Sequence, residues 1–166
     1  MLYRLVKALA AVSTGLLAGA FGYGVVNVVY AFNTVPVPVR LTFHAALMQV
    51  NAVVMQLMMG LALLSTLALA VMAVSVPRLL AAGSAAMVLT TFLITRFGNV
   101  PIHPLIEKWA VTSPPTGYTA ILDRWEMFNL IRTGTGFAAF GLIVFLLIAG
   151  GERMPLRRTP VAVAAK

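Results

Sequence analysis

The sequence predicts an all-α integral membrane protein, a four-helix bundle in which residues 1–166 form a single transmembrane domain. Hydrophobic residues make up 61% of the chain and charged residues only 10%, whereas a soluble domain carries about 25% charged residues. The chain also contains four long apolar stretches, and a helix needs roughly 20 apolar residues to cross a bilayer. The first expected partner is therefore the lipid bilayer.

The charge and the missing residue types exclude several classes of function. The formal net charge is +8, but the basic residues stand at the ends of apolar runs, where they anchor helices to headgroups. They form no dense basic stripe, so no nucleic-acid partner is expected. The chain has no cysteine, which excludes disulfides, thiolate metal sites and cysteine nucleophiles. It contains no P-loop, Gly-x-Ser-x-Gly or His-Glu-x-x-His motif, so nucleotide-driven and hydrolytic reactions are not expected.

The first predicted span covers residues 9–31. The chain begins like a signal peptide, with Arg4 and Lys7 before an apolar run, but this run is long enough to cross the membrane and predicts an uncleaved helix. Residues 33–40 contain Pro36 and Pro38, which predict an extended first loop.

The second predicted span covers residues 43–75. At about 1.5 Å per residue it is longer than the roughly 30 Å hydrocarbon core, so its first turns are expected to project from the bilayer. A tight turn at residues 76–78 leads to the third span, residues 79–95. Residues 96–124 are the longest polar segment and predict a structured extracytoplasmic loop. The fourth span covers residues 125–149.

Polar residues gather at the end of the bundle opposite the termini and predict a polar mouth that binds a small molecule. Ten residues are the candidates for this site: His44, Asn51, Asn99, His103, Glu107, Arg124, Trp125, Glu126, Asn129 and Arg132.

The most informative local pattern lies at the start of the fourth span. Trp125, Asn129 and Arg132 are spaced i, i+4 and i+7, so they share one face of a helix. A charge that lies inside a span is costly unless it is paired or reaches water. Arg132 is therefore either a buried guanidinium that orients an anion or one half of a structural ion pair, with Glu126 as the candidate partner.

The two histidines allow a weak metal hypothesis. His44, His103 and Glu107 would supply the two-histidine, one-carboxylate set. However, His103 precedes Pro104, so its backbone is expected to be extended and its side chain to anchor the loop. A second pattern places His44 on one stripe of the second helix with Met48, Asn51, Met55 and Met59, which suggests copper, although methionine more often fills gaps in packing. We expect no bound metal and no cofactor.

Three pieces of this region together resemble a known family: Asn99-Val100-Pro101, the following Trp109, and Arg124-Trp125 with Asn129 and Arg132 leading into the last apolar helix. They resemble the small bacterial membrane proteins that are grouped with anthrone oxygenases. The helix layout agrees over essentially the whole chain, and the specific part covers residues 96–133. The resemblance implies a protein of the bacterial inner membrane.

Fungal members of that family are associated with the cofactor-free oxidation of anthrones to anthraquinones, and most bacterial members have no assigned activity. The resemblance thus implies a protein that binds or oxidises a small aromatic or quinone-like molecule. His44 or His103 would remove a proton, and Asn129 with Arg132 would stabilise the resulting anion. The alternative hypothesis is a non-catalytic accessory subunit that packs in a larger membrane protein complex.

The distribution of basic residues predicts that both termini are cytoplasmic. Seven Lys and Arg residues then face the cytoplasm, four face the other side, and Arg132 lies within a span. A reporter that is active only outside the cytoplasm is expected to be inactive when fused after residue 166 and active within residues 96–124. Protection of residues 152–166 from a protease added on the cytoplasmic side would show that the topology is inverted.

Overall fold

A computed structural model describes residues 1–149 as a bundle of long helices. The described residues form four such helices: α1 (Leu2–Thr34), α2 (Val37–Met72), α3 (Ser75–Val111) and α4 (Tyr118–Ala149). Each is long and apolar enough to cross a membrane, so the predicted all-α membrane bundle is confirmed. The predicted basic tail, residues 152–166, lies outside the described residues.

The four helices contain between 32 and 37 residues each. At about 1.5 Å per residue each is about 50 Å long, well beyond the roughly 30 Å hydrocarbon core. The excess length that the sequence predicted for the second helix is therefore shared by all four. We call the end that carries the α1–α2 and α3–α4 connections the site end, and the other end the terminal end.

The first connection is much shorter than the loop predicted at residues 33–40. α1 ends at Thr34 and α2 begins at Val37, which leaves a two-residue connection with an extended Pro36. Pro38 lies in the first turn of α2, where a missing N–H removes no helical hydrogen bond. The α2–α3 turn is likewise shifted, to residues 73–74, and Pro77 stands in the first turn of α3.

The structured loop that was predicted at residues 96–124 is helical for most of its length. α3 continues through a π-helical segment (Thr95–Asn99) and a 3-10 turn (Val100–Ile102) into an α-helical segment (His103–Val111). Only residues 112–117 lie between α3 and α4. The backbone of His103 is helical, with φ −56° and ψ −47°, and not extended as expected before a proline. The bias that proline imposes on its neighbour is overridden here, because the segment buries Ile106 and Trp109 against the bundle.

Three apolar clusters fill the bundle from one end to the other. The cluster at the terminal end is formed by Ala10, Leu69, Ala81, Ile143 and Leu146. The central cluster is formed by Leu17, Phe21, Met59, Ala62, Val88 and Ala139. The cluster at the site end is formed by Phe32, Leu41, Ile102, Ile106, Trp109, Leu122 and Trp125.

Buried hydroxyl groups join neighbouring helices between these clusters. The Ser13 and Ser65 hydroxyls lie 3.0 Å apart and link α1 to α2. Thr91 and Thr135 lie 2.7 Å apart and link α3 to α4. Such interhelical hydrogen bonds are typical of membrane bundles, where lipid offers no alternative partner.

Gly98 is a point of tight packing between α3 and α4. A Cβ atom at Gly98 would lie 2.7 Å from the Phe128 ring, a distance at which the ring or the backbone must move. Gly98 belongs to the π-helical segment of α3, so the ring of Phe128 fixes where this segment meets α4.

We predict that Gly98→Ala lowers the stability of the bundle by about 1–3 kcal/mol, because the added methyl group overpacks this contact. Thermal unfolding of the purified protein in detergent measures the effect. Gly134→Ala is the matched control, since a Cβ atom there meets no atom within 4 Å. Phe128→Leu is expected to rescue part of the loss in the Gly98→Ala background. Equal stability of the two glycine variants would contradict the predicted contact.

Candidate functional site

A cavity of about 340 Å³ lies between α1 and α2, with α4 and Thr95 of α3 behind it. This volume is within the range of small-molecule sites, which is about 300–1,000 Å³. Its apolar lining comes mainly from α1 and α2: Phe21, Val28, Leu47, Met48, Met55 and Met59. Its polar lining consists of Asn51, Gln56, Thr95, Trp125, Asn129 and Arg132. The arrangement is an apolar chamber with polar groups concentrated on α4.

Arg132 is the charged residue of the cavity lining. It follows the start of α4 by 14 residues, which places it about 21 Å along the helix. Its Nε and Nη2 atoms both donate to Asn129 Oδ1, at 2.9 and 2.5 Å, and Nη1 donates to Thr95 Oγ1 at 3.4 Å. Its Cζ atom lies 4.7 Å from the centroid of the Phe21 ring. Two uncharged oxygens and an aromatic face thus hold the guanidinium in place.

The ion pair that was considered for Arg132 and Glu126 is not formed. Glu126 accepts instead from Arg40, with Nη2 and Oε1 at 2.8 Å, and this is the one salt bridge among residues 1–149. The charge of Arg132 is therefore not neutralised by a carboxylate in the described part of the chain. A buried cation of this kind is suited to hold an anionic or strongly polar oxygen.

Arg40, Glu126 and Asn33 form a cluster that we call the clamp. Arg40 Nη1 donates to Asn33 Oδ1 at 2.5 Å, and Asn33 Nδ2 donates to both carboxylate oxygens of Glu126, at 3.1 and 3.2 Å. The clamp ties the last turn of α1 and the first turn of α2 to α4. The role of Arg40 and Asn33 was not predicted, because their partner Glu126 is distant in sequence.

His44 lies in a layer behind the cavity wall. Its ring is fully buried and stacks on Phe32 with centroids 4.6 Å apart. It also forms an edge-to-face contact with Trp125, whose ring centroid lies 4.3 Å away. Neither ring nitrogen of His44 has a hydrogen-bond partner among the described residues, and neither does Nε1 of Trp125. Trp125 lines the cavity and His44 does not, so the indole separates the imidazole from the chamber.

Asn99 and His103 belong to the same buried layer. Asn99 is fully buried, and its Nδ2 donates to the backbone carbonyl of Trp125 at 3.1 Å. Asn99 Oδ1 and His103 Nε2 are buried and lack a partner within residues 1–149. Buried polar atoms without partners are costly and uncommon, so several of them in one layer make it a candidate functional site.

The ten predicted site residues thus fall into four groups. Asn51, Trp125, Asn129 and Arg132 line the cavity. His44, Asn99 and His103 form the layer behind it, and Glu126 belongs to the clamp. Glu107 and Arg124 are exposed, and Arg124 lies over the ring of Phe128.

Two further findings bear on the predicted site. No three His, Asp or Glu side chains of the described residues come close enough to hold a metal ion, so His44, His103 and Glu107 do not form the ligand set considered above. The cavity at this end of the bundle is lined by α1 as well as by α2 and α4, and Trp125 belongs both to its lining and to the apolar cluster of the site end.

Both π-helical segments of the described residues border the cavity, and no pattern in the sequence predicted them. Gly24 and Val28 of the α1 segment (Gly24–Val29) line the chamber, and so does Thr95 of the α3 segment. π-Helical turns inside α-helices are frequent at functional sites. The one signal in the sequence is a glycine in each segment, which is too common a feature in membrane helices to predict a π turn.

Comparison with known proteins identifies one family. The family model described as anthrone oxygenase matches residues 43–142, more than half of the chain. The matched region runs from the first turns of α2 into the second half of α4. No curated protein and no solved structure matches the chain.

We predict that the clamp stabilises the site end through paired charges. Glu126→Leu is expected to lower stability by up to about 3–5 kcal/mol, because it leaves the buried Arg40 guanidinium without its carboxylate. Arg40→Met is expected to lower stability as well, because it leaves the Glu126 carboxylate without its arginine. Thermal unfolding in detergent measures both, with Arg96→Met as the exposed control.

The double variant Arg40→Met/Glu126→Leu shows whether the two side chains stabilise the protein as an interacting pair or independently of each other. It removes both charges together, so we expect it to be closer in stability to wild type than either single variant. Strictly additive losses in the double variant would show that the two side chains do not act as a pair.

Proposed function

The chain belongs to the anthrone oxygenase family, and from this premise we propose that it binds a small aromatic or quinone-like molecule in the cavity between α1 and α2. We further propose that it oxidises this molecule with dioxygen and without a cofactor. The observation that carries the proposal is the guanidinium of Arg132, which lines an apolar chamber with uncharged partners.

The geometry of Arg132 leaves donors for a ligand. A guanidinium has five N–H donors, and Asn129 and Thr95 accept three of them. Two N–H groups therefore remain for a ligand oxygen. Because Asn129 Oδ1 accepts from both Nε and Nη2 along one edge of the guanidinium, the remaining donors are already oriented before the ligand binds. Oriented donors in a low-dielectric site stabilise a developing anion more strongly than water does.

This arrangement suits the chemistry of anthrones. Loss of a proton from the ring methylene gives an enolate whose negative charge lies largely on the oxygen, where Arg132 would hold it. The enolate carbon then forms a bond to dioxygen and, after protonation, gives a hydroperoxide. Loss of water from the hydroperoxide forms the second carbonyl. In total, one CH2 group and one O2 become one C=O group and one H2O, so dioxygen is the four-electron oxidant.

We propose His44 as the proton acceptor, ahead of His103. The His44 ring contacts Trp125, which lines the cavity, and both of its nitrogens lack partners among the described residues. Since the indole separates the two, the proton would reach His44 through a water molecule beside Trp125. A positioned base of this kind contributes to catalysis by general acid–base transfer.

The alternative hypothesis, an accessory subunit, predicts a polar cluster whose groups all pair with one another inside the bundle. The clamp fits that description, but the cavity does not, because Arg132 has no carboxylate partner within residues 1–149 and the layer behind it contains unpaired polar atoms. These features favour ligand binding over a purely structural role.

We predict that removal of the Arg132 charge weakens ligand binding at least tenfold, about 1.4 kcal/mol, because the ligand oxygen loses a charged donor. Binding is measured by quenching of Trp125 fluorescence in the Trp109→Phe background, where Trp125 is the remaining tryptophan. The probe is 1,8-dihydroxyanthraquinone, which is already oxidised and so reports binding alone. Arg132→Gln is the test variant, and Arg96→Gln, at an exposed arginine, is its control.

The oxidation itself is tested with 1,8-dihydroxyanthrone. Wild-type protein is expected to raise dioxygen consumption and quinone formation above the spontaneous rate, and Arg132→Gln is expected to lose this increase. If the quinone binds but the protein does not accelerate oxidation of the anthrone, the protein binds this class of ligand and is not an oxygenase. Equal affinity of Arg132→Gln and Arg96→Gln would show that the ligand does not contact Arg132.

A further inference from the structure

We propose that the ligand reaches the cavity from within the bilayer, through an opening between α1 and α2 that we call the lateral window. The substrate class is then a lipid-dissolved ring compound with one carbonyl or ionisable oxygen, not a water-dissolved metabolite. This inference rests on the proposed function for the chemistry of the ligand, but the window itself rests on the bundle alone.

The window follows from the exposure of the cavity lining. The back wall is buried: Phe21, Trp125 and Asn129 are each about 3% exposed. The lining residues at the outer edge are exposed instead, with Tyr23 at 64% on α1 and both Ala52 and Gln56 on α2. A chamber with a buried back and exposed edges on two neighbouring helices opens outward between those helices.

α1 and α2 are held together on both sides of the window. Toward the terminal end, the Ser13 and Ser65 hydroxyls lie 3.0 Å apart, and Leu17 packs in one cluster with Met59. Toward the site end, the two-residue connection and the clamp join the helices again. The separation is therefore local, with contacts between the two helices on both sides of it.

The depth of the window places it in the hydrocarbon layer. Tyr23 precedes the end of α1 by 11 residues, and Ala52 follows the start of α2 by 15 residues, which correspond to about 16 and 22 Å. A core of roughly 30 Å centred on helices of about 50 Å begins about 10 Å from each helix end. The exposed neighbours on α2 are Val53 and Leu57, as expected for a surface that faces lipid. Gln56 is a polar exception at the window's edge, where its amide can turn toward the cavity.

The alternative route from water at the site end is closed. The apolar cluster of Phe32, Leu41, Trp109, Leu122 and Trp125 fills that end among the described residues. The clamp adds a second barrier across α1, α2 and α4. A ligand from water would have to displace both, whereas a ligand dissolved in lipid meets an existing opening.

Two glycines of α1 provide a matched pair of variants. A Cβ atom at Gly19 or at Gly24 meets no atom within 4 Å, so both positions have room for a larger side chain. Gly24 lines the cavity and Gly19 does not. Gly24→Phe is therefore expected to block the window, and Gly19→Phe to leave it open. Ala52→Phe blocks it from the α2 side and serves if Gly24→Phe fails to fold.

The first experiment needs no ligand. The Trp109→Phe protein is reconstituted into phosphatidylcholine vesicles whose acyl chains carry bromine at mid-chain, which quenches tryptophan on contact. We expect bromine to quench Trp125 in the Trp109→Phe protein, and to the same extent when Gly19→Phe is added. When Gly24→Phe is added, we expect the quenching to be at least twofold smaller. Equal quenching in the two glycine variants, or none in any of them, would overturn the window.

The second experiment adds the ligand to vesicles of unbrominated phosphatidylcholine. We expect 1,8-dihydroxyanthraquinone to bind at least tenfold more slowly to Gly24→Phe than to Gly19→Phe, and anthraquinone-2-sulfonate, which the bilayer excludes, not to bind. Rapid binding of the sulfonate, or equal rates in the two variants, would overturn lateral access and leave the proposed function intact. Window-dependent bromine quenching without binding of the quinone would support the window and contradict the proposed function.

Discussion

The guanidinium of Arg132 lies about 21 Å along α4, at a depth where lipid offers neither charge nor hydrogen-bond partner. A charge at the centre of a bilayer costs at least about 2.5–3.5 kcal/mol unless the protein compensates for it. Asn129, Thr95 and Phe21 supply that compensation from three different helices. The contacts that hold this one cation therefore constrain where these helices lie around the cavity.

The packing near the cavity follows from the same requirement. Thr95 can reach Arg132 because α3 approaches α4 closely at Gly98, where the ring of Phe128 occupies the place of a side chain. The clamp joins α1, α2 and α4 at the site end, and the serine pair joins α1 and α2 further along. Between these two fixed points α1 and α2 separate and leave the chamber. The cavity is thus maintained by contacts that lie on either side of it.

The sequence predicted those parts of the structure that depend on local pattern. Four apolar runs were enough to predict four helices, and the i, i+4, i+7 spacing correctly placed Trp125, Asn129 and Arg132 on one face, which lines the cavity. The errors concern long-range contacts. Proline rules describe an isolated chain, so they could not predict that burial of Trp109 keeps the segment around His103 helical. The partner of Glu126 is 86 residues away, and no local pattern indicates it.

The proposed position of the chamber within the hydrocarbon layer changes what an enzyme of the proposed kind must provide. Dioxygen and fused aromatic rings both partition into hydrocarbon, so the bilayer already brings the two reactants together. The ring system also becomes reactive toward dioxygen once it has lost a proton, which removes the need for a metal or flavin. The protein must then supply a base and a fixed positive charge, in a place from which bulk water is excluded. The proposed base, His44, lies behind the indole and Arg132 in front of it, so Trp125 keeps the imidazole apart from the proposed binding place of the ligand oxygen.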